Sequence, residues 1–198
     1  MRKSVKSKRD ETLFALTSEK LDVLSNLAKE NYIDLCFYDE SHFGLVPVVP
    51  YAWQEKGATL ELPCFRGKYI NVAGFYQTNN ERKMYFFEQE TINAAKLINI
   101  FDDFVKDTTQ KAVVVLDNAP IHKSKLFQSK IERWERENDL FLFFIPPYSP
   151  ELNLIEIFWR MIKYKWLSFS AYNSFENFKE DLQKINENQN EKYNINFV

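Results

Sequence analysis

Two short, uninterrupted apolar runs constrain the fold of this chain more than any other feature. Residues 112–116 (Ala-Val-Val-Val-Leu) and 140–145 (Leu-Phe-Leu-Phe-Phe-Ile) have no polar face. That is the pattern of strands buried on both sides, which need cover above and below the sheet. Between them, 124–137 reads as a charged helix. Upstream, 33–38 reads as a strand with Asp39 at its C-terminal end. Residues 68–77 and 84–87 flank a polar turn at 78–81 and read as a hairpin. The period then changes: Ile92, Ala95, Ile98, Phe101, Phe104 and Val105 recur at helical spacing over 91–106. Helices follow from about 153 to 166 and over 174–186. A meander of three strands and then alternating helices and strands predicts an α/β fold, a mixed five-stranded sheet flanked by helices.

The ends are simpler. Residues 12–31 carry Leu13, Leu16, Leu21, Leu24, Leu27 and Ala28 at helical spacing, with Thr17 or Ser18 as a cap within the stretch. Before them, Arg2, Lys3, Lys6, Lys8 and Arg9 form a basic stretch, read either as a solvated tail or as a linker or arm reaching phosphates. Residues 45–54 read as a loop or short strand broken by Pro47 and Pro50. The Asn-rich end is expected to fray. The chain thus divides into a basic linker plus amphipathic helix (1–31), a single main domain (32–186) and a tail (187–198).

Composition excludes several functions. The only glycines are Gly44, Gly57, Gly67 and Gly74, too far apart for a phosphate loop or a dinucleotide fingerprint. Cys36 and Cys64 build neither a disulfide framework nor a CxxC motif, and they suit a reducing compartment. His42 and His122 form no HExxH pattern. No apolar run approaches the roughly 18 residues of a membrane span, and the basic start lacks the apolar stretch of a signal peptide. The expected location is the cytoplasm, with no membrane partner. A net charge of −2 is not the balance of a general nucleic-acid binder.

Three carboxylates stand where side chains can meet. Asp39 and Asp117 follow strands, and in open α/β sheets sites form beyond the carboxyl ends of strands. Glu156 lies in the first turn of the helix after the Pro-rich segment 146–150. Each also has a structural reading: a turn or cap for the aspartates, and for Glu156 a capping box with Asn153. Clustered carboxylates are costly without a cation; one pair at roughly 4 Å repels by about 4 kcal/mol at an effective dielectric near 20. Oxygen-only ligands suit Mg²⁺ or Mn²⁺, and two such ions can drive phosphodiester chemistry without a nucleophilic Ser or Cys.

The segments around these residues are distinctive. They are Asp39-Glu40-Ser41, then Leu116-Asp117-Asn118-Ala119-Pro120-Ile121-His122-Lys123, then 145–159 (Ile-Pro-Pro-Tyr-Ser-Pro-Glu-Leu-Asn-Leu-Ile-Glu-Ile-Phe-Trp). Together they closely resemble the DDE transposases of the mariner-type superfamily, in its bacterial insertion-sequence branch. Residues 53–57 and the strand around Gly74 resemble family features as well. The resemblance covers roughly 33–186 and implies an RNase H-like fold with Asp39, Asp117 and Glu156 as the catalytic, metal-binding triad. It implies two Mg²⁺ or Mn²⁺ ions and double-stranded DNA as partner, both transposon ends and target. It implies hydrolysis by activated water, then attack by the freed 3′-hydroxyl, usually at TA targets, in a homodimer. Leu154 stands where many relatives have Pro, which is favoured but not required at a helix start. Relatives carry helix-turn-helix modules before this domain, so the resemblance leaves three readings: a separately encoded half, with a helix-turn-helix half as a further partner, a frameshift product, or a remnant. The alternatives are a stand-alone RNase H-like nuclease and a catalytically inactive, transposase-derived DNA-binding or regulatory fragment.

Candidate DNA contacts surround the triad. Glu156, Arg160 and Lys163 share a helix stripe at i, i+4 and i+7, either a solvated face with an ion pair or a phosphate-contacting edge. His122 and Lys123 follow Asp117; His122 is a packed or capping residue, or it orients DNA or a carboxylate. Tyr148 stacks on a base or packs the proline loop. Leu152, Ile155, Trp159, Ile162 and Trp166 form the core stripe of the same helix.

Overall fold

The computed structural model describes residues 8–46, 55–57, 67–79, 81–188 and 191–195. The segment 47–54, with Pro47, Pro50 and Trp53, lies outside them, as do Cys64 and most of the basic start. The elements are α1 (Glu11–Lys29), β1 (Asp34–Gly44), β2 (Tyr69–Gln77), β3 (Arg82–Glu88), α2 (Ala94–Asp107), β4 (Ala112–Leu116), α3 (Lys125–Asn138), β5 (Leu140–Phe144), α4 (Ile155–Met161) and α5 (Phe175–Glu187). α4 continues as a π-helical turn, Ile162–Trp166, so the expected helix to 166 is present with a widened last turn.

One mixed sheet runs β3-β2-β1-β4-β5. β1 pairs antiparallel with β2 and parallel with β4, and β4 pairs parallel with β5. The predicted α/β architecture is therefore the one observed. Alternate residues of the central strands feed two cores. Phe37, Val72, Val113 and Val115 face α1, α4 and α5, with Ile155, Trp159 and Leu182. Cys36, Tyr38, Phe75, Val114 and Leu116 face α2 and α3, with Phe101, Phe127 and Trp134. All five residues of β4 are buried, as an apolar run at the centre of a covered sheet should be. β5 looks the same in sequence but is the edge strand, and only Leu140 is fully buried.

Most helix starts follow their caps. Asn93, Ser124 and Ser174 accept hydrogen bonds from Lys96, Phe127 and Asn177 backbone N–H groups. α1 differs from expectation. Its cap is Asp10, which accepts from Leu13 N, while Thr17 sits inside the helix with its hydroxyl donating to Leu13 O at 2.7 Å. The buried face of α1 is also rotated: Phe14, Thr17, Leu21, Leu24 and Ala28 turn inward, and Leu13 and Leu16 are exposed. The C-terminal stretch expected to fray is instead tied down at 191–195. Tyr193 packs edge-on against Trp166, Ile195 packs on the core, and the Tyr193 carbonyl accepts from the buried Arg82 guanidinium. Arg82 also caps the Ile185 and Asn188 carbonyls at the end of α5.

Candidate active site

β1 does not end at Asp39; it runs on to Gly44. Its parallel pairing with β4 stops at Phe37↔Val115, and beyond that point, among the described residues, it pairs with β2 alone. Continuing the register two residues places Asp39 beside Asp117, which follows β4 directly. The two aspartates therefore meet where the parallel pair opens, although Asp39 is in mid-strand. Glu156 arrives from the first turn of α4. Asp39, Asp117 and Glu156 line one cavity of about 240 Å³, together with Asn118, Asn153 and the loop that contains Tyr148.

The three carboxylates have unlike environments. Burial, and then the charge of Glu156, push Asp39 up to about 8. Burial also raises Glu156, against the pull of Lys163 and Arg160. Asp117 is lowered, chiefly by a hydrogen bond from His122. His122 is buried, with Nδ1 3.0 Å from Asp117 Oδ1. Burial lowers its pKa, but Asp117 and Glu40 outweigh that and carry it to about 9. Glu40 Oε1 lies 3.5 Å from His122 Nε2 without hydrogen-bond geometry, and it accepts from the Tyr38 hydroxyl at 2.8 Å. β1 thus sends Asp39 to the α4 face and Glu40 to the α3 face, where Glu40 backs the histidine.

The Glu156 segment grips Asp39. The Trp159 indole N–H donates to Asp39 Oδ2 at 3.1 Å, and Asn153 Nδ2 donates to the Tyr38 carbonyl at 3.1 Å. Gly74 lies opposite Asp39 on β2. A Cβ there would sit 2.7 Å from Trp159 Cη2, so the indole occupies the space that the glycine leaves. The capping-box reading of Asn153 and Glu156 does not hold. The Asn153 N–H already donates to Pro150 O, and Leu154 takes the cap position with no side-chain bond. The loop is fixed too: Asn118 Nδ2 donates to the Ile145 carbonyl, and Tyr148 adopts a left-handed φ of 61°.

The expected DNA-contacting residues divide. Lys123, Tyr148 and Arg160 are exposed near the cavity. Lys163 is half-buried, donating to Ser41 Oγ at 2.7 Å with its ammonium over the Phe43 ring. His122 offers almost no surface, being 1% exposed, so its place is behind Asp117. From local pattern alone Trp159 reads as core and Asn153 as a possible cap, because each serves the local pattern as well as the distant bond.

A metal suits this donor set in one respect and is limited in another. Among the described residues no three His, Cys, Asp or Glu side chains close around a single point. Mg²⁺, however, is commonly held by one or two carboxylates plus waters and substrate phosphates rather than by a full protein cage. Asp39 is pushed up by burial and then by the charge of Glu156, a repulsion that a bound cation would relieve. The buried Asn153 Oδ1, with no partner among the described residues, leaves an acceptor for a water. The residues fit a hydrated divalent cation.

A family profile described as DDE superfamily endonuclease matches residues 34–179. No curated protein sequence matches the chain. The fold superposes on the Mos1 transposase paired-end complex with left transposon end at a TM-score of 0.63 and 16% identity, covering 98% of this chain and 60% of that one. On the Mos1 mariner paired-end complex with Mn the TM-score is 0.61 at 16% identity, covering 93% and 57%. On the isolated catalytic domain of Mos1 mariner transposase it is 0.56 at 16% identity, covering 93% and 85%. The chain therefore spans 57–60% of the length of the Mos1 chains in those complexes. The likeness shows an RNase H-like fold. No helix among the described residues is long and apolar enough to cross a membrane.

Proposed function

Because the chain belongs to the DDE superfamily of endonucleases, we propose that it is the catalytic part of a transposase, cutting DNA at transposon ends and joining the freed ends to target DNA. The observation that carries this reading is the opening of Asp39 from β1, Asp117 from the end of β4 and Glu156 from α4 onto one cavity. The family membership makes phosphodiester bonds the natural substrate. The fold shared with transposase complexes on DNA ends supports double-stranded DNA as partner.

The carboxylates of Asp39, Asp117 and Glu156 would hold two Mg²⁺ or Mn²⁺ ions; the Mn-bound Mos1 complex supports a divalent ion. When bound, such ions neutralise phosphoryl oxygens and lower the pKa of an attacking hydroxyl. The chain's own residues prepare that site. His122 keeps Asp117 ionised and oriented through its Nδ1. Lys163 and Arg160 offset the charge of Glu156. Lys123 and Arg160 face solvent, where phosphate oxygens can reach them, and the exposed Tyr148 ring can stack on a base. In cleavage, a water oxygen bonds to phosphorus as the bond to the 3′-oxygen breaks, freeing a 3′-hydroxyl. In joining, that hydroxyl oxygen bonds to a target phosphorus and displaces the 3′-oxygen of the target strand. A homodimer on paired ends completes the proposal.

The test is Mn²⁺-dependent nicking of supercoiled plasmid by the native chain and by Asp117→Asn. Nicking by the native chain that falls at least about a hundredfold in the variant supports the reading. Equal nicking by both defeats it. Joining of cut ends to a second plasmid then separates a transposase from a stand-alone nuclease.

A further inference from the structure

We propose that Trp159 is a positioning residue for Asp39: its indole N–H holds one carboxylate oxygen so that the other is left to a divalent cation. The inference rests on the cation-binding reading of the carboxylates given above. It goes beyond that reading by assigning a role to a residue that touches neither cation nor DNA.

The geometry is particular. Among the described residues, Asp39 lies on the half of β1 that pairs with β2 alone; its carboxylate takes a backbone bond from Glu40 within the strand, and the Trp159 N–H reaches it from outside the sheet. Opposite it, Gly74 offers no side chain, and the Trp159 ring fills that place against the strand. The ring is fixed by Phe43 edge-on at 5.8 Å and by Phe158 at 5.3 Å, and it is only 2% exposed. Its N–H is donor-only and out of reach of bulk water, so Asp39 Oδ2 at 3.1 Å is its partner. One residue before Asp39, the Tyr38 carbonyl accepts from Asn153. Both donors come from the segment that carries Glu156. The grip therefore also sets how Asp39 faces Glu156. Partners of this kind, which hold a ligand rather than the metal, commonly change metal affinity by roughly 10–100-fold.

The experiment titrates Mn²⁺ into the folded protein and reads free Mn²⁺ by electron paramagnetic resonance. It compares the native chain, Asp39→Asn, Trp159→Phe and Asn153→Ala, each checked by circular dichroism. Phe keeps the ring packing and removes the N–H. Trp159→Phe is expected to weaken Mn²⁺ binding by about 10–100-fold. It should raise the Mn²⁺ needed for half-maximal nicking more than it lowers the rate at saturation, and Asn153→Ala should move in the same direction. A folded Trp159→Phe that binds Mn²⁺ as the native chain does overturns the inference, while loss of binding in Asp39→Asn would leave the metal site standing. A native chain that binds no Mn²⁺ overturns both. Should Trp159→Phe not fold, tryptophan emission of the native chain on adding Mg²⁺ decides. A change that Asp39→Asn abolishes supports the inference, and no change overturns it.

Discussion

Replacing Gly74 by alanine tests the close approach of helix and sheet on which the site depends. The new Cβ would lie 2.7 Å from Trp159 Cη2, 3.1 Å from Cζ2 and 3.4 Å from Ile155 Cδ1. Carbon atoms settle at about 3.5–4.0 Å, so the indole must retreat by about 1 Å. It has little room, because Phe43, Phe158 and the sheet enclose it. Overpacking of this kind costs about 1–3 kcal/mol, while the alanine recovers about 0.5–1 kcal/mol of strand entropy. A net loss of up to about 2.5 kcal/mol is expected from a urea melt. The retreat also takes the N–H away from Asp39 Oδ2, now at 3.1 Å. Displacements near 1 Å can cost about a hundredfold in rate. Mn²⁺-dependent nicking should thus fall by at least about tenfold at a temperature where the variant is fully folded. A Gly74→Ala protein with native stability and native nicking would refute the argument, since it would mean that α4 shifts without moving Asp39.

Other outcomes follow from the same structure. Arg82→Met should cost about 2–4 kcal/mol in a denaturant melt, because it strips the Ile185, Asn188 and Tyr193 carbonyls of a buried donor. In EDTA, stability should fall as pH rises. Asp39, raised to about 8, binds a proton in the folded chain that the unfolded chain has lost above about pH 4, and His122, raised to about 9, does the same above about pH 6.5. Thermal melts at pH 5 and pH 9 should show this loss, and Asp39→Asn should remove the acidic part of it; a flat profile would count against both shifts. Arg160→Ala should weaken DNA binding across sequences and reduce the salt slope by about 1, with the circular dichroism spectrum unchanged, because its side chain is exposed.

The sequence by itself determined the element order and the class of fold. Apolar runs, the change from strand to helix period and the turn residues act locally, so Ala112–Leu116 and the core stripe of α4 could be read directly. It also brought Asp39, Asp117 and Glu156 to notice, through the residues beside them. Strand order decided what periodicity cannot: β4 is central and β5 is an edge, though both are apolar strands of five residues. Asp39 reaches Asp117 because the β1–β4 pairing stops early, which is a property of two strands and not of either sequence. The same holds for the bonds from Trp159, Asn153 and His122. A buried side chain obeys the local pattern whether or not its polar atom finds a partner 120 positions away, as Trp159 does in Asp39. Local sequence sets which face a residue occupies. Only the packed sheet and helix set which donor meets which carboxylate, because that depends on the gap that Gly74 leaves between them.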